Sequence, residues 1–382
     1  MTRPAGENDL WLRHDDAVVT TDRWTDPSCF LPVYRCGDDY SYHPLPLIRR
    51  HGGLDWNAAA ADAVDARKFR YPHDDRTLDR RVTRIGGPLS CEAKPYGCDE
   101  AIDRLAEAMI GHRRRVTAAN PDAEHVVLTG GADSLNLLLI DGGRNTIAAS
   151  AEPNFPLVQQ FVRRNGLDID VVRLDDDADE EQMRHEIRCT FGLVRYDDIR
   201  WGTSMRRIAD ASRRPVVFWQ GSMGGTLLGG RSARYCRSVY RYRTFSERYL
   251  RSSRPRLWRG SGRRDLARRQ RLSDALWLRG AHWQGGSHAV LRAICGALVA
   301  SGYHGPDTYD VLARLPLVPT GSDWRPALGR RLAGGEVWYP DANPFPPQSA
   351  RRIGRQSSEI LRRLLMGSGG DEQIRVAKTH AA

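Results

Sequence analysis

Thr129-Gly130-Gly131-Ala132-Asp133-Ser134 is the segment of this chain whose residue types and order best suit chemistry. It follows the apolar run His125-Val126-Val127-Leu128 and opens into a stretch with helical character from Ser134 to Ile140. A strand that turns through two glycines into a helix exposes main-chain amides beside the positive end of the helix dipole. The glycines also let phosphate oxygens approach the backbone. The expected chemistry is capture of a nucleotide's phosphates, with Asp133 holding a magnesium ion against them and Ser134 donating its hydroxyl to a phosphate oxygen. The segment lacks the spacing and the lysine of a Walker A loop, and it lacks the third glycine of the dinucleotide fingerprint. Taken alone, six such residues also describe a tight turn capped by Asp133 or Ser134.

Other reactive groups are less organised. Cys29/Cys36 and Cys91/Cys98 share a six-residue gap, wider than the about two to four residues usual between paired zinc ligands, so ordinary buried thiols are expected. His282 and His288 flank Trp283-Gln284-Gly285-Gly286 with no Cys or Asp at metal spacing, and are read as polar contacts. From Arg231 to Arg279 arginines far outnumber Glu247, Asp265 and Asp274. That stretch is a candidate anion-binding surface, or else a solvated helical face.

The elements that must position the loop alternate regularly. Ile102, Leu105, Met109 and Ile110 recur at helical spacing within Cys98 to Arg115. Strands are expected at His125 to Thr129, Asn145 to Ser150, Leu167 to Leu174 and Pro215 to Trp219. Helices are expected at Ser134 to Ile140, Phe155 to Asn165 and Ser204 to Ala211. This alternation predicts an α/β fold, a parallel sheet with helices on both faces. Ala17 to Thr20 and Phe30 to Tyr34 read as short strands of a small β-rich N-terminal region. From Arg231 onward the pattern reads as mainly helical, ending in an amphipathic Ala350 to Met366 that offers a face for packing or dimerisation, and in a Gly/Ser-rich tail.

With these elements in order, the chain resembles the synthetase domain of the asparagine synthetase family, which includes β-lactam synthetases and lasso-peptide cyclases. Their loop reads Ser-Gly-Gly-x-Asp-Ser, with Thr129 here in the first place. Glu152-Pro153-Asn154-Phe155 with Val172-Arg173-Leu174 is similar to the family's second βα unit, and Tyr196-Asp197-Asp198 ahead of Thr203-Ser204 is similar to its acidic segment. Gly221-Ser222-Met223-Gly224-Gly225-Thr226-Leu227-Leu228-Gly229-Gly230 matches, without gaps, the family's Gly-Glu-Gly-Ala-Asp-Glu-Leu-Phe-Gly-Gly. The resemblance implies an ATP pyrophosphatase-like fold of the PP-loop kind over 98–345, a shortened glutaminase-like region over 1–97, and a C-terminal helix and tail over 346–382. It implies ATP on Thr129, Gly130, Gly131, Asp133, Ser134, Gly221 and Ser222, and magnesium on Asp133 with Asp197 or Asp198. The implied activity is adenylation of a small-molecule or peptide carboxylate, followed by amide bond formation with ammonia or a substrate amine. Thr2 stands where a glutaminase would carry its nucleophilic cysteine, so no glutamine hydrolysis is expected.

The departures from that family are specific. Gly225-Thr226 replaces the acidic pair of the third motif, Val194 or Arg195 stands where relatives meet the amine, and no lysine occurs between Lys94 and Lys378. An arginine can hold pyrophosphate in place of the family's late lysine but cannot exchange protons at neutral pH. Two alternatives to the ligase follow: a nucleotide- or partner-binding relative without turnover, and an RNA-modifying ATP pyrophosphatase using the arginine-rich stretch.

Composition limits the remaining classes. Across 382 residues, 40% are hydrophobic and 27% charged, with ten Trp and thirteen Tyr, which suits a folded globular chain. The net charge of +11 favours an anionic partner. Seven scattered cysteines do not make a disulfide framework. No leader-like start and no apolar run near about eighteen residues is present, so a cytoplasmic protein without membrane partners is expected, and nucleic acid ranks last among the partners considered.

Overall fold

The computed structural model describes residues 33–41, 83–85, 94–140, 145–175, 201–221, 224–229, 288, 291–292, 294–303, 308, 311, 314–316, 318 and 322–341. The N-terminal part of these forms three short strands, β1 (Val33–Cys36), β2 (Asp39–Ser41) and β3 (Thr83–Ile85). They make an antiparallel sheet in the order β2-β1-β3, and Gly37 supplies the left-handed residue (φ +61°) that the tight β1–β2 turn requires. Ala17 to Thr20, Phe30 to Pro32 and Ala350 to Met366 lie outside the described residues.

Helix α1 (Cys98–Ala119) buries Ile102, Leu105, Met109 and Val116 along one stripe. It runs one turn beyond the expected end at Arg115 and closes at Asn120, whose Nδ2 donates to the Val116 carbonyl at 2.9 Å. The alternating part then follows as β4 (Glu124–Thr129), α2 (Ala132–Leu138), β5 (Thr146–Ser150), α3 (Phe155–Arg164) and β6 (Asp170–Arg173). It continues with α4 (Gly202–Ala211), β7 (Val216–Gln220), α5 (Gly224–Leu227), β8 (Leu298–Ser301) and α6 (Arg325–Ala333). β6 begins later than expected because Asn165 to Leu167 still close α3, with Gly166 left-handed (φ +62°) and the Leu167 amide bonded to the Val162 carbonyl.

The five strands β4 to β8 are all parallel, in the order β6-β5-β4-β7-β8. Register sets Ala148, Val127, Trp219 and Ala300 side by side, and Ile147, Val126, Phe218 and Val299 in the adjacent row. Consecutive strand residues point to opposite faces. All of these except the half-buried Ile147 are buried, so both faces are covered, as in a sheet built from crossover connections. The first row joins a core to which α1, α2, α3 and α6 contribute Leu105, Leu138, Phe161 and Leu328.

β8 is a strand within the stretch after Arg231 that was expected to be mainly helical. Ile294 to Ser301 is a continuous run of small and apolar residues interrupted only by Gly296, so periodicity does not separate helix from strand there. Gly296 is left-handed (φ +67°) and its amide caps the Arg292 carbonyl at 2.9 Å. The helical turn ends at that glycine and the strand starts two residues on. No helix among the described residues is long and apolar enough to cross a membrane.

Polar groups buried against Trp219 tie α1 to the sheet. The indole Nε1–H donates to His125 Nδ1 at 2.9 Å, the Arg113 guanidinium lies 4.3 Å from the indole ring, and His112 Nε2 bonds the Ser301 carbonyl at 3.0 Å. Burial first, and the Arg113 charge second, push the His125 imidazole down from 6.5 to about 3. Its folded value is below its unfolded value, so its contribution to stability is complete above pH 6.5 and is lost as pH falls toward 3. We expect unfolding free energy to drop by about 1.4 kcal/mol per pH unit across that window from this group. His125→Gln, which keeps an acceptor for Trp219, flattens the slope by one proton in denaturant titrations at a series of pH values. An unchanged slope counts against the assignment.

Candidate functional site

The sheet order determines where a site can form. After β4 the chain moves to one side, through β5 to β6, and then returns to the other side of β4 as β7 and β8. The connections leaving the carboxyl ends of neighbouring β4 and β7 therefore run to opposite sides, which makes this a topological switch point, the usual ligand position of such sheets. Both glycine-bearing segments leave from those two strands.

The first, Thr129 to Ser134, is held by its own side chains. The Thr129 hydroxyl is buried and donates to the Ala149 carbonyl at 3.0 Å, while the Ser150 hydroxyl donates back to the Thr129 carbonyl at 2.8 Å. The Gly130 amide donates to Ser134 Oγ at 3.0 Å, and the Ser134 hydroxyl donates to the Gly131 carbonyl at 3.0 Å. Thr129 and Ser134 thus brace the loop instead of presenting free hydroxyls. Gly130 is the open position: a Cβ there would meet only Asn154 Nδ2, at 3.9 Å.

The second segment is pressed onto the first. A Cβ at Gly221 would lie 2.5 Å from the Ser134 amide nitrogen, and one at Gly224 would lie 2.8 Å from Asp133 Cβ and from the Tyr303 ring. At Gly225 it would stand 3.0 Å from Asp133 Oδ2. Close approach calls for glycine at 221 and 224, and a side chain at 225 would enter the space of the Asp133 carboxylate.

Asp133 is the reactive group between the two segments. Its Oδ1 accepts from Arg325 Nη1 at 3.1 Å, and the Tyr303 hydroxyl donates to its main-chain carbonyl at 2.8 Å. Burial raises the Asp133 carboxyl above its ordinary value, against the pull of Arg325 and a hydrogen bond from the Gly225 amide. Arg325 also grips Asp323, with Nε at 2.8 Å from one oxygen and Nη2 at 2.5 Å from the other. Burial alone would raise the Asp323 carboxyl, but these bonds hold it below its ordinary value.

No family model and no curated protein matches the chain. The site is therefore read from its own geometry. That geometry brings Thr129, Gly130, Gly131, Asp133, Ser134 and Gly221 together, whereas Ser222, Asp197 and Asp198 lie outside the described residues, as do Val194, Arg195, His282 and Arg231 to Arg279. His288 is fully buried and bonds Gln220 Oε1 at 3.0 Å, the polar contact expected of it. Cys36 and Cys295 are buried, but Cys98, expected to be buried, is exposed at the start of α1. It precedes the first core residue of that helix, Ala101.

Arg325, Asp323 and Tyr303 are the site residues that sequence reasoning missed. Arginine density points to the Arg231 to Arg279 stretch for a cation, while Arg325 is an isolated arginine at a helix start. Its one local signal is Asp323-Trp324-Arg325-Pro326, an acidic residue two before a proline-led helix.

An open position at Gly130 and the permanent charge of Arg325 on Asp133 suit a phosphate chain. They do not by themselves suit magnesium, which favours carboxylate oxygens and keeps several waters. Asp133 already has hydrogen-bonding neighbours in Arg325 and Gly225, and among the described residues no three His, Cys, Asp or Glu side chains gather as a metal site.

Proposed function

We propose that the crevice between β4 and β7 binds the phosphates of ATP, and that the chain is an AMP-forming ligase joining a carboxylate to ammonia or an amine. The observation that carries this reading is the meeting of the two glycine-bearing segments at the switch point, with Asp133 and Arg325 between them. An α/β sheet offers a ligand site there, and close-packed glycines beside an open one suit a polyphosphate. The carboxylate oxygen attacks the α-phosphorus and pyrophosphate leaves; the nitrogen then attacks the acyl carbon, AMP leaves, and the nitrogen gives up a proton. Arg325 supplies charge for the departing pyrophosphate. As a guanidinium it takes no part in the proton transfer. The expected magnesium requirement rests on Asp133 with Asp197 or Asp198.

Pyrophosphate release from ATP, measured against a panel of small and peptide carboxylates, tests the reading. A carboxylate-dependent signal is expected. ATP binding without exchange for any carboxylate would contradict the ligase and favour nucleotide binding without turnover, a second reading that the engagement of Asp133 by Arg325 supports.

A further inference from the structure

We infer that Arg325 is a phosphate-binding residue of this crevice, held in position by Asp323 and shared between Asp133 and the incoming phosphate chain. The inference rests on the phosphate-binding reading above. Its first support is how Arg325 is carried. Asp323 pairs with Gly229 in an isolated antiparallel bridge, the Trp324 amide donates to the Leu228 carbonyl at 2.8 Å, and the Arg325 amide donates to Asp323 Oδ1 at 3.0 Å. Arg325 is thus built onto the backbone that follows β7, the same backbone whose glycines press on the loop.

Its second support is how the guanidinium is used. Asp323 takes Nε and Nη2, which fixes the plane, and Asp133 takes Nη1. One N–H of each nitrogen accounts for these bonds, which leaves a further N–H on Nη1 and on Nη2. The side chain is 28% exposed, so a fixed, permanent cation stands at the edge of the loop with two N–H groups that bond nothing among the described residues. No lysine between Lys94 and Lys378 can supply that charge. Asp323 acts through Arg325 and is a positioning residue.

The triad of two carboxylates and one guanidinium carries net negative charge, which works against a bare anion. Removing the Asp133 charge therefore strengthens binding of metal-free pyrophosphate if Arg325 faces that anion. If the Asp133–Arg325 pair were only a brace, the same change would loosen the loop and weaken binding.

Titration calorimetry of the full chain with inorganic pyrophosphate without metal, and with ATP plus magnesium, tests this. Arg325→Gln should weaken both about tenfold or more. Arg325→Lys should recover part of the loss, because it keeps the charge and gives up the two-nitrogen hold on Asp323. Asp133→Asn should tighten metal-free pyrophosphate about threefold or more. Thermal melts accompany each variant, and Arg325→Lys with Asp133→Asn carries the test if Arg325→Gln does not fold. Binding by Arg325→Gln as tight as the parent's overturns the role of Arg325 and leaves the crevice's reading standing. Weaker pyrophosphate binding by Asp133→Asn overturns it likewise. A parent chain that binds neither pyrophosphate nor ATP removes both.

Discussion

Asp133→Ala abolishes ATP-dependent pyrophosphate release, lowering kcat/KM on the order of 10³-fold or more, while the protein still melts within about 3 °C of the parent. The separation of activity from stability follows from the surroundings of this side chain. Burial raises the Asp133 carboxyl above its ordinary value despite Arg325, so its charge is not a large source of stability. Its removal leaves Arg325 still gripped by Asp323 through Nε and Nη2, so no buried charge is stranded. The loop itself is braced by Thr129, Ser134 and Ser150, none of which needs the carboxylate. What is lost is the one described carboxylate at the loop and the charge that shares Arg325 with the phosphates. Steady-state kinetics with thermal melts checks this, and a fully active variant would remove Asp133 from the chemistry.

Gly221→Ala has the largest expected effect on stability at the site. The added methyl would lie 2.5 Å from the Ser134 amide nitrogen and 2.6 Å from Ser134 Cα. These are backbone atoms, which cannot rotate aside. The two segments must part, at a cost of about 2–3 kcal/mol, and the loop that phosphates would meet is displaced with them. Gly130→Ala is the informative contrast. Its methyl meets only Asn154 Nδ2 at 3.9 Å, so the fold is unaffected, but the methyl occupies the open approach. The first variant should lose stability and nucleotide binding together, in denaturant unfolding and calorimetry. The second should lose binding alone, by about tenfold. Equal stability losses in the two would show that the packing across the crevice has been misread.

Much of the sheet was legible because its strands are compact apolar runs bounded by turn residues. His125 to Thr129 and Pro215 to Trp219 are each within one residue of β4 and β7. β8 was not legible, since Ile294 to Ser301 carries no period and its conformation turns on the left-handed Gly296. The glycines at 130, 131 and 221 were visible as motif residues, but their separate reasons were not. Gly221 is a matter of contact with Ser134, which depends on strand order. The same limit applies to Arg325, whose Asp133 partner is 192 residues away. Nothing local connects the two until β7 lies beside β4. The hydroxyl of Ser134 was read as a phosphate donor because sequence gives its type and not its hydrogen-bond partner, which is the carbonyl of Gly131.

Hydrogen exchange of the full chain with and without ATP and magnesium tests the central claim most directly, because it reports both binding and place. Slower exchange is expected at the amides of residues 129–135 and 221–225, with less change in the antiparallel strands of residues 33–41 and 83–85. Protection confined to segments away from the carboxyl ends of β4 and β7, or no protection at saturating nucleotide, would contradict a phosphate site at the switch point.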